Sequence, residues 1–464
     1  MKKKIIAALL AGMMVFSLVA CGGNGNSDSS ASGSGKRSSA GSSGGKETIN
    51  LWAYTDEVPN MVEEYIKLNP EFAKKYDVNV TLIATTEGAY QPALDQALVA
   101  GGKDAPDIYC AEQAFVLKYT QGDMAEFALP YSELGIEVDS MVREADIAQY
   151  TIEIGSRDGE IVGLGFQATG GAVIYRRSIA QAVWGTDDPE VIKTKIGPGW
   201  DKFMAAAGEL NDKGYSILSG GGDLWQAIRN TAKTPWVVNG ELQIDSAREE
   251  FLDFHKELHD KGYTNDTTAW QDAWIADMSG TGAREVFAFM GPAWLINYVM
   301  VGNSGGEATG EGTYGDWAVS EPPVGFFWGG TWLLANAQGN EAVKDGVAEL
   351  IEWITLDSTD DGLQYKWANG TIFGEGGAKD SVGSAAVMEK SNGELEFLGG
   401  QNMFDVFVPA GAFATGVGLS QYDETINQWF IDQTTEYANG NKSREQAIED
   451  FKQQVADNLD VIVK

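Results

Sequence analysis

The fold of this chain is decided by the stretch TINLWAY, residues 48–54. Its side chains alternate in character, with Ile49, Leu51 and Ala53 facing one way and two aromatic residues facing the other. Such alternation is typical of a β-strand that has one face in a protein core. The stretch therefore predicts the first strand of a sheet.

Helices and strands alternate in the residues that follow this first strand. The predicted elements are, in order, a helix between Asp56 and Pro70, a strand over 78–84, a helix over 90–100 and a strand over 106–110. A βαβαβ order predicts a parallel sheet with right-handed crossovers. The alternation continues along the chain, which favours the α/β fold class.

Later helices are indicated by apolar side chains at helical spacing. One begins at Trp200, and another begins at Ser246 after the predicted N-cap Asp245. The last begins at Ser443, whose side chain would form a capping box with Gln446. Its apolar face is predicted to comprise Ile448, Phe451, Val455, Leu459 and Ile462.

The N-terminus has the order of a bacterial secretory signal. Lysines at positions 2–4 precede an apolar run over 5–19, which is shorter than the roughly 20 residues of a comfortable transmembrane helix. The sequence Leu18-Val19-Ala20-Cys21 resembles a lipobox. This resemblance implies a signal peptide over 1–20 and a diacylglyceryl group on Cys21 as the mature N-terminus. A plain cleaved signal with an incidental cysteine is the alternative.

Residues 21–46 are mostly Gly, Ser, Asn and Ala. A segment of this composition cannot bury a core and is predicted to be a flexible tether. It would hold the folded body off the cell membrane, to which the lipid on Cys21 attaches it. A long tether is commoner where no outer membrane encloses the protein, so a Gram-positive surface is the preferred location.

The composition and net charge of the folded part of the chain limit the classes of partner that it can bind. The formal net charge is −34, and cleavage after Ala20 would remove three lysines and leave about −37. Nucleic acid and anionic membrane are therefore excluded as partners, because both are polyanions. No stretch after the signal is long and apolar enough to span a bilayer. With Cys21 lipidated, Cys110 stands alone and is predicted to be a small buried side chain.

Several stretches resemble enzyme or metal-binding motifs but lack residues or spacings that those motifs require. Residues 302–306 have nucleophile-elbow spacing, but a Gly-rich loop follows them, and His255 and His259 both precede them. These histidines share a predicted helix face without a third zinc ligand, and residues 357–362 lack calcium-loop spacing. We therefore predict no catalytic residue, no metal site and no cofactor. A carboxylate pair for glycoside hydrolysis stays open, because acidic pairs occur throughout the chain.

Fourteen tryptophans are the most informative feature of the body. Many lie beside glycines, acids and amides outside helix interiors, as in Phe326-Phe327-Trp328-Gly329-Gly330-Thr331-Trp332. Pyranose rings have apolar C–H faces and a belt of hydroxyl groups, so aromatic platforms with carboxylate and amide groups at the rim suit them. Core packing is the alternative for any one tryptophan, but together they favour a sugar cleft.

Several segments resemble the extracellular solute-binding proteins of carbohydrate ABC transporters (family 1), the group that includes maltose-binding protein. The resemblance covers nearly all of residues 47–464. The matching segments are 49–54, 105–109, 119–124, 158–164, 173–177, 199–203, 288–294, 314–317 and 329–332. The sequence departs from the family at Arg176-Arg177, where Asn-Lys is frequent, and at Phe166-Gln167, where a proline is usual.

The resemblance implies a two-lobed α/β fold in which each lobe is a mixed sheet flanked by helices. Lobe one would comprise residues 47–166 and 324–357, and lobe two would comprise residues 167–323 and 358–464. Crossovers near residues 166–170 and 320–326 would form the hinge, and the ligand would bind in the cleft between the lobes. A ligand that bridges both lobes would stabilise the closed form, which the importer recognises.

The predicted ligand-binding residues come from both lobes. Lobe one would contribute Trp52, Tyr54, Glu112, Trp328, Gly330 and Trp332. Lobe two would contribute Gln167, Asp223, Trp225, Trp270, Trp294 and Phe404. The aromatic rings would stack on the sugar, while the carboxylate and amide groups share hydrogen bonds with its hydroxyl groups.

The predicted function is capture of a sugar or oligosaccharide outside the membrane, by a monomer, for delivery to the permease subunits of an ABC importer. Two alternatives stay open. One is a protein of the same fold that binds a peptide, a polyamine or a uronate, and Arg176 or Arg177 in the cleft would favour the acidic ligand. The other is a lipid-anchored glycosidase, which requires two carboxylates at a fixed spacing in one pocket.

Overall fold

The computed structural model describes residues 45–85, 88–374 and 376–464 of the chain. The predicted signal peptide, Cys21 and nearly all of the predicted tether lie outside these described residues. Within them, no helix has both the length and the apolar character that crossing a bilayer requires. The elements below are numbered in chain order and fall within residues 47–464.

The strands of the described residues form two larger sheets and two hairpins. The strands are β1 (Glu47–Ala53), β2 (Tyr76–Leu82), β3 (Ile108–Glu112), β4 (Ala128–Leu129), β5 (Ser156–Arg157), β6 (Glu160–Ile161), β7 (Gly163–Gly165), β8 (Ala172–Arg176), β9 (Val237–Val238), β10 (Glu241–Leu242), β11 (Ala288–Gly291), β12 (Trp317–Ser320) and β13 (Thr331–Asn336). The first sheet has the order β2-β1-β3-β13-β4, with β7 also paired to β13. The second sheet has the order β11-β8-β12, and the hairpins are β5-β6 and β9-β10.

Helices connect these strands along the described part of the chain. The α-helices are α1 (Glu57–Leu68), α2 (Pro70–Lys75), α3 (Tyr90–Ala100), α4 (Val116–Thr120), α5 (Val138–Ala145), α6 (Gln149–Ile154), α7 (Arg177–Trp184), α8 (Pro189–Ile196), α9 (Trp200–Asn211), α10 (Trp225–Thr231), α11 (Ser246–Asp260), α12 (Asp272–Met278), α13 (Val301–Asn303), α14 (Lys344–Thr355), α15 (Leu363–Ala368), α16 (Ala385–Glu389), α17 (Phe404–Phe413), α18 (Asp423–Ala438) and α19 (Arg444–Asn458). A π-helical segment over Leu295–Met300 precedes α13.

The predicted βαβαβ opening is confirmed. Strand β1 pairs in parallel with β2 and with β3, in a register that sets Ile49 opposite Val78 and Leu51 opposite Ile108. The alternation of the first stretch has the expected cause, because Ile49, Leu51 and Ala53 are buried in the core beneath the sheet. The carboxyl ends of β1 and β3 therefore lie side by side at one edge of the first sheet.

The second sheet is buried on both faces. Every residue of β8 is buried. Val173 and Tyr175 pack into a core with α9, α10, α11, α18 and α19, whereas Ile174 packs into the core that also contains β1. Because neighbouring residues of a strand point to opposite faces, this sheet has a core on each side.

Two extended segments run between the sheets and pair with each other. Gly170 forms a bridge with Phe327, and the Gly171 amide donates to the carbonyl of Phe326 at 2.8 Å. A β-carbon at Gly171 would lie 2.0 Å from the Phe326 ring, so only glycine fits this close approach. The crossing segments predicted for the hinge thus contact each other directly, while the predicted lobe boundaries stay a prediction.

The C-terminal helix begins as predicted but ends early. The Ser443 side chain accepts a hydrogen bond from the Gln446 amide at 3.2 Å, which confirms the N-cap. The helix stops at Asn458, so the placement of Leu459 and Ile462 on its apolar face is wrong. The Ile462 amide instead donates to the carbonyl of Gly240 at 2.8 Å, because an extended C-terminus pairs beside the β9-β10 hairpin.

Candidate functional site

Three of the predicted tryptophans meet in one cluster, which we call the indole platform (Trp270, Trp294 and Trp328). The rings of Trp270 and Trp294 are parallel within 7°, with centroids 6.2 Å apart. The Trp328 ring stands edge-on to both, at 4.8 Å from Trp294 and 5.9 Å from Trp270. Trp270 is 46% exposed, so the platform offers a flat aromatic face to solvent.

The backbone holds the indole platform in place. The Trp294 indole Nε1 donates to the carbonyl of Trp328 at 3.0 Å. Gly329 has a φ of +74°, and a β-carbon there would lie 3.4 Å from that same Nε1. Trp270 itself has a φ of +72°, a left-handed conformation that is strained for a bulky residue. Strain of this kind clusters at ligand sites, where the surrounding contacts enforce it.

Asp223 is linked to the indole platform by Trp274, a tryptophan that sequence reasoning missed, and its contact with a ligand stays a prediction. The Trp274 indole Nε1 donates to Asp223 Oδ1 at 3.1 Å, and the Trp274 ring centroid is 5.4 Å from that of Trp270. Burial raises the pKa of the Asp223 carboxyl to about 7. Trp270 precedes α12 in a left-handed conformation, so helical spacing could not have shown that the Trp274 ring lies beside it.

Tyr54 and Glu112 lie together at the carboxyl ends of β1 and β3. The Tyr54 hydroxyl shares a hydrogen bond with Thr331 Oγ1, and the register of β13 sets Thr331 opposite Glu112. Glu112 accepts a hydrogen bond from the Ala114 amide at 2.6 Å. Burial raises the pKa of Glu112 to about 7. Burial, and then the charge of Glu112, also raises the pKa of Tyr54.

Gln167 lies between two acids that sequence reasoning did not select. Its amide Nε2 donates to Asp380 Oδ2 at 3.3 Å and, at 3.5 Å, to Glu57 Oε1. Burial, followed by the charge of Asp380, raises the pKa of Glu57 to about 8, and burial raises the pKa of Asp380 to about 7. Glu57, Gln167 and Asp380 are far apart in the sequence, and only the fold brings them together.

Trp225 and Trp332 are enclosed by core side chains. Trp225 is 3% exposed and lies between the rings of Phe251 and Phe430, at 5.0 and 5.7 Å. Trp332 is 1% exposed, and its Nε1 donates to the carbonyl of Thr151 at 3.1 Å. The structure does not bring either ring into the indole platform. Ligand contact by these two residues stays a prediction, while their packing role is visible.

The remaining predicted residues occupy three separate places. Trp52 is half-buried at the end of β1, and its Nε1 has no hydrogen-bond partner among the described residues. Gly330 has a φ of +111°, and its carbonyl accepts a hydrogen bond from the Gln113 amide at 3.2 Å. Phe404 borders a cavity of about 270 Å³ whose lining includes none of the other predicted ligand-binding residues.

Arg176 and Arg177 are already engaged by protein groups. Arg176 Nε donates to Asp316 Oδ2 at 2.7 Å, and its guanidinium lies 5.5 Å from the centre of the Trp317 ring. Arg177 donates to Asp187 at 3.0 Å and to the carbonyl of Leu398 at 2.9 Å. Both side chains therefore stabilise the second sheet and its surroundings, which removes the feature that would have favoured an acidic ligand.

Among the described residues there is neither a cluster of metal ligands nor a reactive thiol. No three His, Cys, Asp or Glu side chains within 45–85, 88–374 and 376–464 are grouped as metal ligands. Cys110 is a buried free thiol, as predicted for a small side chain, and burial raises its pKa. A thiol held protonated in the core is a poor nucleophile.

Comparison with known families assigns the chain to a group of binding proteins. A family model described as bacterial extracellular solute-binding protein matches residues 67–391, which is more than half of the chain. No curated protein sequence matches the chain.

Solved structures share its fold at low sequence identity. An extracellular solute-binding protein of family 1 is 19% identical, with a TM-score of 0.69 over 89% of this chain and 99% of that one. The galacto-N-biose/lacto-N-biose I-binding protein of Bifidobacterium longum, solved with lacto-N-biose, is 15% identical, with a TM-score of 0.66 over 91% and 100%. The GacH receptor of Streptomyces glaucescens, solved with acarbose, is 16% identical, with a TM-score of 0.59 over 89% and 98%. The predicted two-lobed α/β fold is thereby confirmed.

Replacing Trp332 and Trp270 by alanine should separate a core tryptophan from an exposed one. Trp332→Ala removes a fully buried ring and should lower the free energy of unfolding by about 3–5 kcal/mol. Trp270→Ala removes a half-exposed ring and leaves the backbone conformation as it is, so the loss should stay below about 1 kcal/mol. Urea unfolding of the two unliganded variants measures both values. Equal losses would contradict the distinction between core and platform.

The unliganded protein should lose stability as the pH rises from about 5 to about 8. Glu57 has a pKa of about 8 in the fold against an ordinary value of 4.5, so over this range the folded state keeps a proton that the unfolded state has released. The free energy of unfolding therefore falls with rising pH, and the melting temperature should follow it. Glu57→Gln should make the decline shallower, whereas Glu63→Gln, exposed on the same helix, should not. A Glu57→Gln profile parallel to the wild type would disprove this origin.

Proposed function

We propose, since this chain belongs to the family of bacterial extracellular solute-binding proteins, that it captures a sugar or oligosaccharide and delivers it to an ABC importer. The observation that carries the proposal is the indole platform, which is half-open to solvent and bordered by the half-buried side chain of Asp223. Flat aromatic faces suit the apolar C–H faces of pyranose rings. The relatives solved with lacto-N-biose and acarbose bind such ligands.

The carboxyl groups near the platform suit hydroxyl groups better than charges. Glu57, Glu112, Asp223 and Asp380 all have raised pKa values because they are buried. A carboxyl group that is protonated part of the time both donates and accepts hydrogen bonds, as a hydroxyl group also does. An acidic sugar would instead add negative charge to a site that already disfavours it.

The two crossing segments supply a hinge for capture. Gly170, Gly171 and their partners Phe326 and Phe327 join the two sheets by hydrogen-bonded extended backbone. The proposed ligand site has residues on either side of this pairing, with Tyr54 and Glu112 at the first sheet and Asp223 beside the second. A solute that contacts both sides stabilises the closed arrangement, which a permease can distinguish from the open one.

The proposed protein is a monomer anchored to the outer face of the cell membrane by a lipid on Cys21. The lipobox resemblance of residues 18–21 supports the anchor, and the composition of residues 21–46 supports the tether. The anchor would keep the captured solute close to the permease, because a tethered protein has a high effective concentration near its membrane partner.

A panel of neutral and charged solutes should identify the ligand class by thermal shift. We expect at least one of lacto-N-biose, acarbose, maltotriose and β-1,6-galactobiose to raise the melting temperature, whereas glucuronate and a tripeptide should not. A ligand at about 100 times its Kd adds roughly 2.7 kcal/mol to the free energy of unfolding. Mass spectrometry should find the bound sugar intact after incubation.

Three outcomes would redirect the proposal. Stabilisation by spermidine alone would favour a polyamine, for which the buried acids and indoles would act as a cation site. Accumulation of cleaved sugar with turnover would favour a glycosidase. In Trp270→Ala the shift caused by the binding sugar should shrink, and a shift equal to that of the wild type would remove the indole platform from the site.

Replacement of the predicted lipidated cysteine should release the protein from the membrane. Cys21→Ala removes the thiol that the diacylglyceryl group would modify, so the variant should leave the membrane fraction or stay unprocessed. Fractionation of cells that express each form, followed by immunoblotting, measures the distribution. Cys110→Ala serves as the control, because that thiol is buried in the fold. A Cys21→Ala protein that is processed and membrane-bound would disprove the lipid anchor.

A further inference from the structure

Three buried polar atoms without partners lie on facing elements of the two lobes. They are Gln113 Nε2, Gln226 Oε1 and Arg229 Nε, and none has a hydrogen-bond partner within the described part of the chain. Gln113 and Arg229 are only 4% and 5% exposed. A buried donor or acceptor that stays unpaired costs about 1–3 kcal/mol, so these atoms need a partner.

The three side chains face one another across the lobes. Gln113 follows β3 of the first sheet, and Arg229 lies on α10, which packs in the core of the second sheet. Arg229 Nη2 donates to Gln113 Oε1, so the two side chains are in direct contact. Gln226 is three residues before Arg229 on the same helix and shares its face.

Helix α10 connects this group to both the indole platform and the hinge. Asp223, which binds the Trp274 indole beside the platform, lies immediately before the helix. Asn230 at the other end donates to the carbonyl of Phe327 at 3.2 Å, in the crossing segment. The polar face of α10 therefore runs along the wall between the two features that define the proposed sugar site.

We propose that Gln113, Gln226 and Arg229 form a subsite that binds two adjacent hydroxyl groups of the captured sugar. The inference rests on the proposed function and names the chemical group that this wall recognises. The guanidinium Nε and the Gln113 amide donate to hydroxyl oxygens, and Gln226 Oε1 accepts one hydroxyl hydrogen. Two donors and one acceptor match a pair of neighbouring hydroxyl groups, each of which can accept and donate.

The ligand group at this subsite is neutral. Arg229 forms no salt bridge with any described residue, but the charges of Asp423 and Glu112 both act on it through space. A ligand carboxylate would add negative charge beside Glu112, whose own charged form burial already disfavours. A hydroxyl pair completes the hydrogen bonds without adding charge. Because the subsite uses both lobes, its occupation favours the closed form.

The test measures sugar affinity in two single variants and one matched control. Gln226→Ala and Gln113→Ala should each weaken the binding of lacto-N-biose, acarbose or maltotriose by about 10- to 100-fold, since each removes a buried hydrogen bond in a site that would otherwise be complete. Gln181→Ala, exposed on α7, should leave the Kd unchanged. Isothermal titration calorimetry gives the Kd, and the unliganded melting temperature confirms folding. Gln226 is only half-buried, so its variant carries the test if Gln113→Ala fails to fold.

Monodeoxy analogues of the sugar that binds best show whether hydroxyl groups are the contact. The wild type should lose affinity for one analogue, and Gln226→Ala should discriminate less between that analogue and the parent sugar, as a double-mutant cycle requires. A Kd within twofold of the wild type for both variants would overturn the subsite while the proposed function stands, and would mean that water satisfies these atoms. If no sugar binds the wild type, the proposed function and the subsite both fail.

Discussion

The pairing of two crossing segments is the interaction on which the rest of the structure depends. Residues 169–171 and 326–328 join the two sheets as neighbouring extended chains, with the Trp328 amide donating to the carbonyl of Thr169 at 3.1 Å. The Thr169 hydroxyl also donates to the carbonyl of Gly329 at 2.8 Å. The indole platform is therefore attached to the backbone of the crossing segments, so a change in angle at the predicted hinge would move the aromatic surface with it. A site on such a scaffold keeps its shape better than one carried by free loops.

Burial of several carboxyl groups near one another is the electrostatic cost of this site. Glu57 and Asp380 both accept a hydrogen bond from the amide of Gln167, and Asp380 also accepts one from the Ser381 amide at 2.7 Å. Their pKa values rise because burial removes water and, for Glu57, because the charge of Asp380 adds repulsion. Strain in the backbone of Trp270 is a second cost in the same region. Proteins retain such features where ligand binding requires them, and the remaining core supplies the stability.

The sequence was informative where local pattern determines structure and uninformative where distant residues meet. Alternation in residues 48–54 predicted β1, and the Ser443 cap predicted the start of α19, because both signals lie within a few residues. Helical spacing could not show that α19 ends at Asn458, because the pairing of Ile462 with the β9-β10 hairpin is a tertiary contact. In the same way, a count of tryptophans found Trp270, Trp294 and Trp328 but could not separate them from Trp332. Only the packing of β13 decides that its ring is inside.

In the proposed function, helix α10 would couple capture of the solute to closure of the lobes. The turn that precedes it lies beside the indole platform through Asp223, and its own last turn contacts the crossing segment through Asn230. Between them, Arg229 reaches the first lobe at Gln113. Under the proposed subsite, a rigid ligand that stacks on the platform and lies along this helix would also contact Gln113 of the first predicted lobe. The affinity for the solute and the preference for the closed form would then arise from the same contacts, as linkage between binding and conformation requires.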